Sequence, residues 1–266
     1  MTRVLALMRA HWQTMKSYRV QTLISFAAIV ASIVPLYFVA GAVQPIMSGS
    51  IKSEGGSAFG FLAVGYATFM LVSMAVSALP QAVSERINSG VFEALLTTPT
   101  GIVELLVGLN AFDLLLATLR AVVLLGAAAL LGATIIPGRV LPAAIILALI
   151  VAAHMPIGVL GAAMILAFRT TGPLPKLAVT LSALLGGVYY PTSVVPSWLR
   201  LVSDVLPLSY GLRALRRVLL QNASLVDVAP DVAAVAAAAV LLAATAALAF
   251  SYALRHARAQ GTLTQY

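Results

Sequence analysis

The sequence predicts an all-α membrane protein, with six transmembrane helices behind an N-terminal interfacial helix. Three observations carry that reading. Of 266 residues, 61% are hydrophobic and 9% charged, whereas a soluble domain carries about 25% charged residues. The apolar residues fall into six runs, near 20–43, 58–80, 104–134, 140–167, 174–195 and 231–254, and an apolar helix needs about 20 residues to cross a bilayer. The few charges gather mostly between those runs.

Residues 1–19 read as an interfacial amphipathic helix. Val4, Leu5, Met8, Trp12 and Met15 fall on one helical stripe, and Arg3, Arg9, Lys16 and Arg19 form the basic side. Trp12 suits a headgroup boundary. No cleavable signal is expected, because the first apolar run is long and no small-residue cleavage site follows a short apolar core.

The domain of spans covers 20–254, and 255–266 form a tail. Pro35 predicts a kink in the first span. The third and fourth spans exceed the bilayer slightly, which predicts tilt or a cytosolic extension. The Ala-rich last span offers small residues for close packing.

Orientation follows from Lys and Arg placement. With the N-terminus cytoplasmic, nine basic residues lie inside: Arg3, Arg9, Lys16, Arg19, Arg86, Arg169, Lys176, Arg255 and Arg258. Six lie outside: Lys52, Arg139, Arg200, Arg213, Arg216 and Arg217. Both termini are then cytoplasmic. The net charge of +8 reflects basic helix ends facing anionic lipid rather than nucleic acid. Absence of cysteine excludes disulfides and thiolate metal sites. His11, His154 and His256 have no metal-ligand spacing. No Walker P-loop or phosphate cradle is present, so this chain is not expected to hydrolyse nucleotide itself.

The polar interruption 81–99 is the most informative stretch. Glu85, Arg86 and Glu93 concentrate charge there, Gly90 frees the backbone, and Pro99 ends any helix before it. Val91, Phe92, Leu95 and Leu96 make a short amphipathic segment that can lie on a membrane surface. On spacing alone, a solvated turn between two membrane helices is the favoured reading. Gly90, Glu93, Ala94-Leu95-Leu96 and Thr98-Pro99, preceded by Glu85-Arg86, resemble the cytosolic coupling helix of ABC type-2 exporter permeases. Val91 stands where that family more often has Thr. The resemblance implies that the segment docks into a separate ATPase subunit.

The second informative stretch is 186–217. Gly186-Gly187 and Pro191 interrupt the fifth run, Pro196 follows, and Pro207 breaks the chain again. A broken helix at membrane depth is tolerated only when buried in protein or lining a cavity. Re-entrant half-helices on the outer side and an ordinary surface loop both fit. Tyr190-Pro191, Pro196, Trp198-Leu199, Pro207-Leu208-Ser209-Tyr210 and Leu215-Arg216 are similar to the outer re-entrant gate of the same family, with Ser209 where Thr is common. This implies a gate over 191–217. Arg213, Arg216 and Arg217 would face anionic headgroups or an anionic substrate.

Ionisable groups inside spans are costly, about 2.5–3.5 kcal/mol on insertion scales, and so are functional candidates. Asp113 and Arg120 share a face of the third span about 10.5 Å apart, too far for a simple direct pair. His154 lies mid-span in the fourth. All three are candidates for interhelical polar contacts or a substrate path, with structural roles favoured.

The resemblance implies the membrane subunit of an ATP-driven exporter in the cell's inner membrane. Two copies would form the path as a homodimer, and two ABC ATPase subunits would hold ATP and Mg. The chain itself would bind no cofactor. The scattered aromatics lean away from a glycan and towards an amphipathic, lipid-like or drug-like substrate. The alternative is a secondary active transporter, which would need inverted repeats and no coupling motif, or another polytopic membrane protein without an ATPase partner. An intramembrane enzyme would need a catalytic constellation that the lone His154 does not supply.

Overall fold

The computed structural model describes residues 19–90, 102–168 and 173–259. The described residues form eight α-helices and three short 3-10 turns. The helices are α1 (Arg19–Met47), α2 (Ala58–Asn88), α3 (Ile102–Leu130), α4 (Val140–Phe168), α5 (Leu174–Leu185), α6 (Ser197–Val205), α7 (Pro207–Gln221) and α8 (Ala229–Ala259). The expected interfacial helix before Arg19 lies outside the described residues. So does most of the amphipathic segment after Gly90.

Among the described residues, five helices are long and apolar enough to cross a membrane: α1, α2, α3, α4 and α8. The expected fifth span, 174–195, is not a spanning helix. Its helical part has 12 residues, about 18 Å at 1.5 Å per residue, against a hydrocarbon core of about 30 Å. Gly186 and Gly187 end it, as the sequence suggests, and the backbone then runs without helix to Pro191. Pro35 sits inside α1, Pro80 inside α2 and Pro156 inside α4.

The bundle is built around α2. The most apolar window of α2 is 72% buried, against 17% for α1 and 11% for α8. That contrast explains the composition. Helices apolar all round can expose their outer faces to lipid, so hydropathy marks the spans without marking the core.

Three apolar clusters hold the helices. Ile29 and Ile33 of α1, Leu71 of α2 and Leu124 of α3 belong to the first. Val72 of α2, Ile146 and Ile150 of α4, Leu212 and Val218 of α7 and Val235 of α8 belong to the second. Leu79 and Val83 of α2, Ile165 of α4 and Phe250 of α8 close the far end. Close approach needs small residues. A Cβ at Gly158 of α4 would lie 2.9 Å from the Ala75 and Val76 carbonyl oxygens of α2.

Candidate functional site

The break after α5 frees backbone groups that a continuous helix would pair. Gly187 adopts φ +82, a left-handed conformation that favours glycine. The Leu184 carbonyl accepts from the Tyr190 hydroxyl. The Val188 carbonyl accepts from Arg216 Nη2 at 3.1 Å. Arg216 is only 1% exposed and is among the largest fully buried side chains.

Its guanidinium joins four parts of the chain. Nη1 donates to Glu54 Oε2 at 3.0 Å, in the 3-10 turn between α1 and α2. Nε and Nη2 both donate to the Phe61 carbonyl of α2, at 3.2 and 3.1 Å. The cation also lies 3.4 Å from the Phe61 ring centroid, a stacking arrangement that suits arginine. Buried charge is costly unless paired and hydrogen-bonded; here the charge has a carboxylate and two carbonyls.

Gly65 makes room for this contact. A Cβ there would sit 2.3 Å from the Val188 oxygen and 2.5 Å from Arg216 Nη2. The α1–α2 connection is tied down further. Gln44 donates to the Gly56 carbonyl at 2.9 Å and accepts from the Ala58 N–H at 2.6 Å. Gln221 donates to the Lys52 carbonyl at 2.9 Å.

The gate residues named from sequence divide into two groups. On α7 and at its start, Pro207, Leu208, Ser209, Leu215 and Arg216 are buried. Tyr210 is half-buried and its hydroxyl donates to the Asp204 carbonyl at 2.9 Å. Pro191 is buried, Tyr190 and Leu199 are half-buried, and Pro196 is exposed. Trp198 is 71% exposed on α6, alongside exposed Leu201 and Val205.

The expectation that the three outer arginines meet headgroups or substrate needs correction for Arg216, which faces the protein interior. Arg213 is also engaged, with Nε 3.1 Å from Asp231 Oδ1 and its cation 5.1 Å from the Tyr210 ring centroid. Arg139, on the same side, donates to the Asn222 side chain at 2.6 Å and to the Asn222 carbonyl at 2.9 Å. Protein groups thus receive the charge of Arg139, Arg213 and Arg216, three of the six basic residues expected outside.

At the opposite end of α2, Glu85 is exposed. Arg86 is half-buried and donates to the Ala82 carbonyl one turn back at 3.0 Å. Gly90, at φ +70, donates to the Ile87 carbonyl at 3.0 Å, a glycine terminating a helix end. Glu93, Leu95, Leu96, Thr98 and Pro99 lie outside the described residues.

The in-span polar residues have separate surroundings. Asp113 is half-buried on α3. Arg120 Nη2 donates to Ser25 Oγ of α1 at 3.4 Å, and its cation lies 6.0 Å from the Phe26 ring centroid. His154 is 1% exposed. Its Nδ1 lies 2.7 Å from the Ile150 carbonyl, which can only accept, so Nδ1 carries the proton. Its Nε2 is buried without a hydrogen-bond partner. Among the described residues, no group of three or more His, Cys, Asp or Glu could hold a metal ion.

Sequence reasoning missed Glu54 and Gly65. A lone acid in a short apolar-flanked loop is the one available signal for Glu54, and nothing in spacing links it to a residue 162 positions away.

Among known families, the chain matches the model described as ABC-2 type transporter, over residues 2–220. No curated protein matches it.

Proposed function

Because the chain belongs to the ABC-2 type transporter family, as a multi-pass membrane permease component that implies an ABC ATPase partner, we propose that it is the transmembrane subunit of an ATP-driven exporter. It moves an amphipathic, lipid-like or drug-like substrate out of the cytoplasm or inner leaflet. Two copies form the path and two ATPase subunits hold ATP and Mg. Both termini and the 81–99 segment face the cytoplasm of a cell whose inner membrane holds the complex.

The observation that carries this reading is the continuity of α2. One helix of 31 residues, about 46 Å long, has Glu85 and Arg86 near one end and the Arg216 contact near the other. In this mechanism ATPase closure pushes on the 81–99 segment. Because α2 is packed on α3 and α4, that push shifts a rigid element rather than bending a loose one. At the outer end it loads the Phe61–Arg216–Val188 contact and so bears on the broken segment 186–217. The buried bonds must rearrange together, which favours two discrete states over a continuum.

The deciding test is purification in mild detergent from the native host, with nucleotide hydrolysis measured on the wild type and Glu93→Arg. We expect an ATPase to co-purify with the wild type. The variant should remain inserted but lose that subunit or its substrate-stimulated turnover. Transport driven by an ion gradient alone, with no ATPase attached, would instead select the secondary-transporter alternative. Orientation is checked by impermeant thiol labelling of single cysteines. Ser50→Cys should react from outside and Ser89→Cys should not; both sites are exposed. Ser203 is buried, so the exposed neighbour Val205 is the better second outer position.

A further inference from the structure

Two open grooves meet along α2. The first, about 400 Å³ in volume, lies between α2 and α3 and is lined by Ser73, Ser77 and Gln81 with Arg120. The second, about 440 Å³, lies between α1 and α2 and is lined by Pro35, Leu36, Val39, Val43 and Leu62. Tyr66 lines both. Each has the size of a small-molecule site. Their linings differ in chemistry: one sets hydroxyls, an amide and a cation among apolar Phe69, Met70 and Met74, and the other is almost wholly apolar.

We propose that the two grooves form one binding site for an anionic amphiphile, with a phosphate or carboxylate head beside Arg120 and a hydrocarbon chain laid along α1. This names the substrate class of the proposed permease and rests on that reading.

Arg120 is the strongest indicator. It lies within a membrane span, where a cation is retained at a cost and normally has a purpose. Among the described residues no carboxylate lies within ion-pair distance of it. Its hydrogen bond to Ser25 is long, at 3.4 Å, and its Nε is buried without a hydrogen-bond partner. Arg216 marks the contrast, since its cation is met by Glu54 at 3.0 Å. An anion entering the α2–α3 groove would complete Arg120 as Glu54 completes Arg216.

The direction of the grooves also fits. Ser73, Ser77 and Gln81 follow at helical spacing and lead from Tyr66 towards the end of α2 that bears Glu85 and Arg86. The apolar groove runs the other way, along α1 from Ser32 to Met47, and reaches Tyr189 of the broken segment. With the Glu85 end cytoplasmic, the head points to the inner surface and the chain runs outward along α1, past the bilayer centre and towards the broken segment. A lipid of the inner leaflet has that orientation.

The test uses the purified full chain without ATPase, in a non-ionic detergent. Thermal unfolding is followed against dodecyl phosphate, dodecyltrimethylammonium and inorganic phosphate. We expect saturable stabilisation by dodecyl phosphate at a concentration about tenfold or more below that for the cation, and no shift with inorganic phosphate. Arg120→Gln should erase the preference for the anion while leaving the folded protein able to take either chain, and Arg120→Lys should restore most of it. Val39→Trp, which fills the apolar groove, should weaken both chain-bearing ligands. The proposal fails if inorganic phosphate stabilises as well as dodecyl phosphate. It fails if Arg120→Gln keeps the anion preference. It also fails if Ser77→Cys cross-links two copies while dodecyl phosphate does not bind, because the groove is then a subunit contact. None of these results depends on an ATPase, so the permease reading stands or falls separately.

Discussion

Near its Ala58 end α2 meets a charge drawn into the protein, and near its Asn88 end it carries charge at the surface. Phe61 and Gly65 receive Arg216 together with Glu54 and the Val188 carbonyl. Glu85, by contrast, is exposed. The buried cation holds the fold together by donating to the broken backbone at Val188 and pairing with Glu54. Glu85 has no such burial, and in the proposed mechanism it is the charge at this end that an ATPase subunit would meet. Similar residue types thus serve different ends, and burial tells them apart.

The largest expected effect comes from breaking the outer side of this comparison. Arg216→Met leaves Glu54 buried without its cation and the Val188 carbonyl without a donor. Removing one partner of a buried ion pair costs about 3–5 kcal/mol. We expect a large fall in apparent Tm and loss of a monodisperse peak in detergent. Adding Glu54→Leu should recover part of the loss, the signature of coupled sites. Gly65→Ala should act in the same direction, since its Cβ would lie 2.3 Å from the Val188 oxygen. Retention of wild-type Tm by Arg216→Met would remove the distinction between the two ends.

The inner side is sharpened by Glu85→Arg. As an exposed charge it should change stability by no more than about 1 kcal/mol. At a docked contact, the same reversal should weaken the ATPase by about 2–5 kcal/mol. Measured together, unchanged Tm and lost ATPase co-purification would confirm that this end serves a partner. A fall in Tm as large as that of Arg216→Met would show that both ends are structural.

A smaller effect is expected within the broken segment itself. Trp198 is 71% exposed, so Trp198→Ala should shift stability by about 0.5 kcal/mol or less. Transport should nevertheless fall if α6 belongs to the outer gate that the family resemblance implies. Pro191→Ala restores a backbone N–H in a buried position and should likewise preserve assembly while lowering transport. Normal transport by both would confine the outer function to α7.

The smallest effect is electrostatic and lies in the α7–α8 connection. The Asp227 carboxylate accepts from the Ser224 hydroxyl at 2.7 Å and the Ser224 N–H at 2.8 Å. These bonds, the hydroxyl first, hold its carboxyl below the usual range, with lesser help from Arg217 and Arg139. A depressed folded pKa means stability that is present above the unfolded value of about 3.9 and lost as pH falls through the folded one. Asp227→Asn should flatten that acid-side slope slightly in a pH series of unfolding midpoints.

Much of this architecture was legible in the chain. Five spans were visible because a bilayer demands long apolar runs, and few other constraints produce them. The glycines and prolines at 186–191 announced the break for the same steric reasons that produce it. Gly90 was readable as a helix end. The fifth run was legible in composition but misleading in length, since hydropathy counts apolar residues across a break that backbone geometry does not cross.

What the sequence by itself determined was the membrane class, the long spans, the interruption near Gly90 and the broken segment after Leu185. Each follows from local chemistry: transfer free energy summed over a window, or the φ restrictions of glycine and proline. Tertiary structure alone decided that Arg216 turns inward to Glu54, that Gly65 is the notch admitting it, and that Arg120 borders a groove without a carboxylate beside it. Those facts depend on which faces of distant helices pack together. A buried ion pair between positions 54 and 216 has no periodicity to betray it, because its spacing is set by the packing of the bundle.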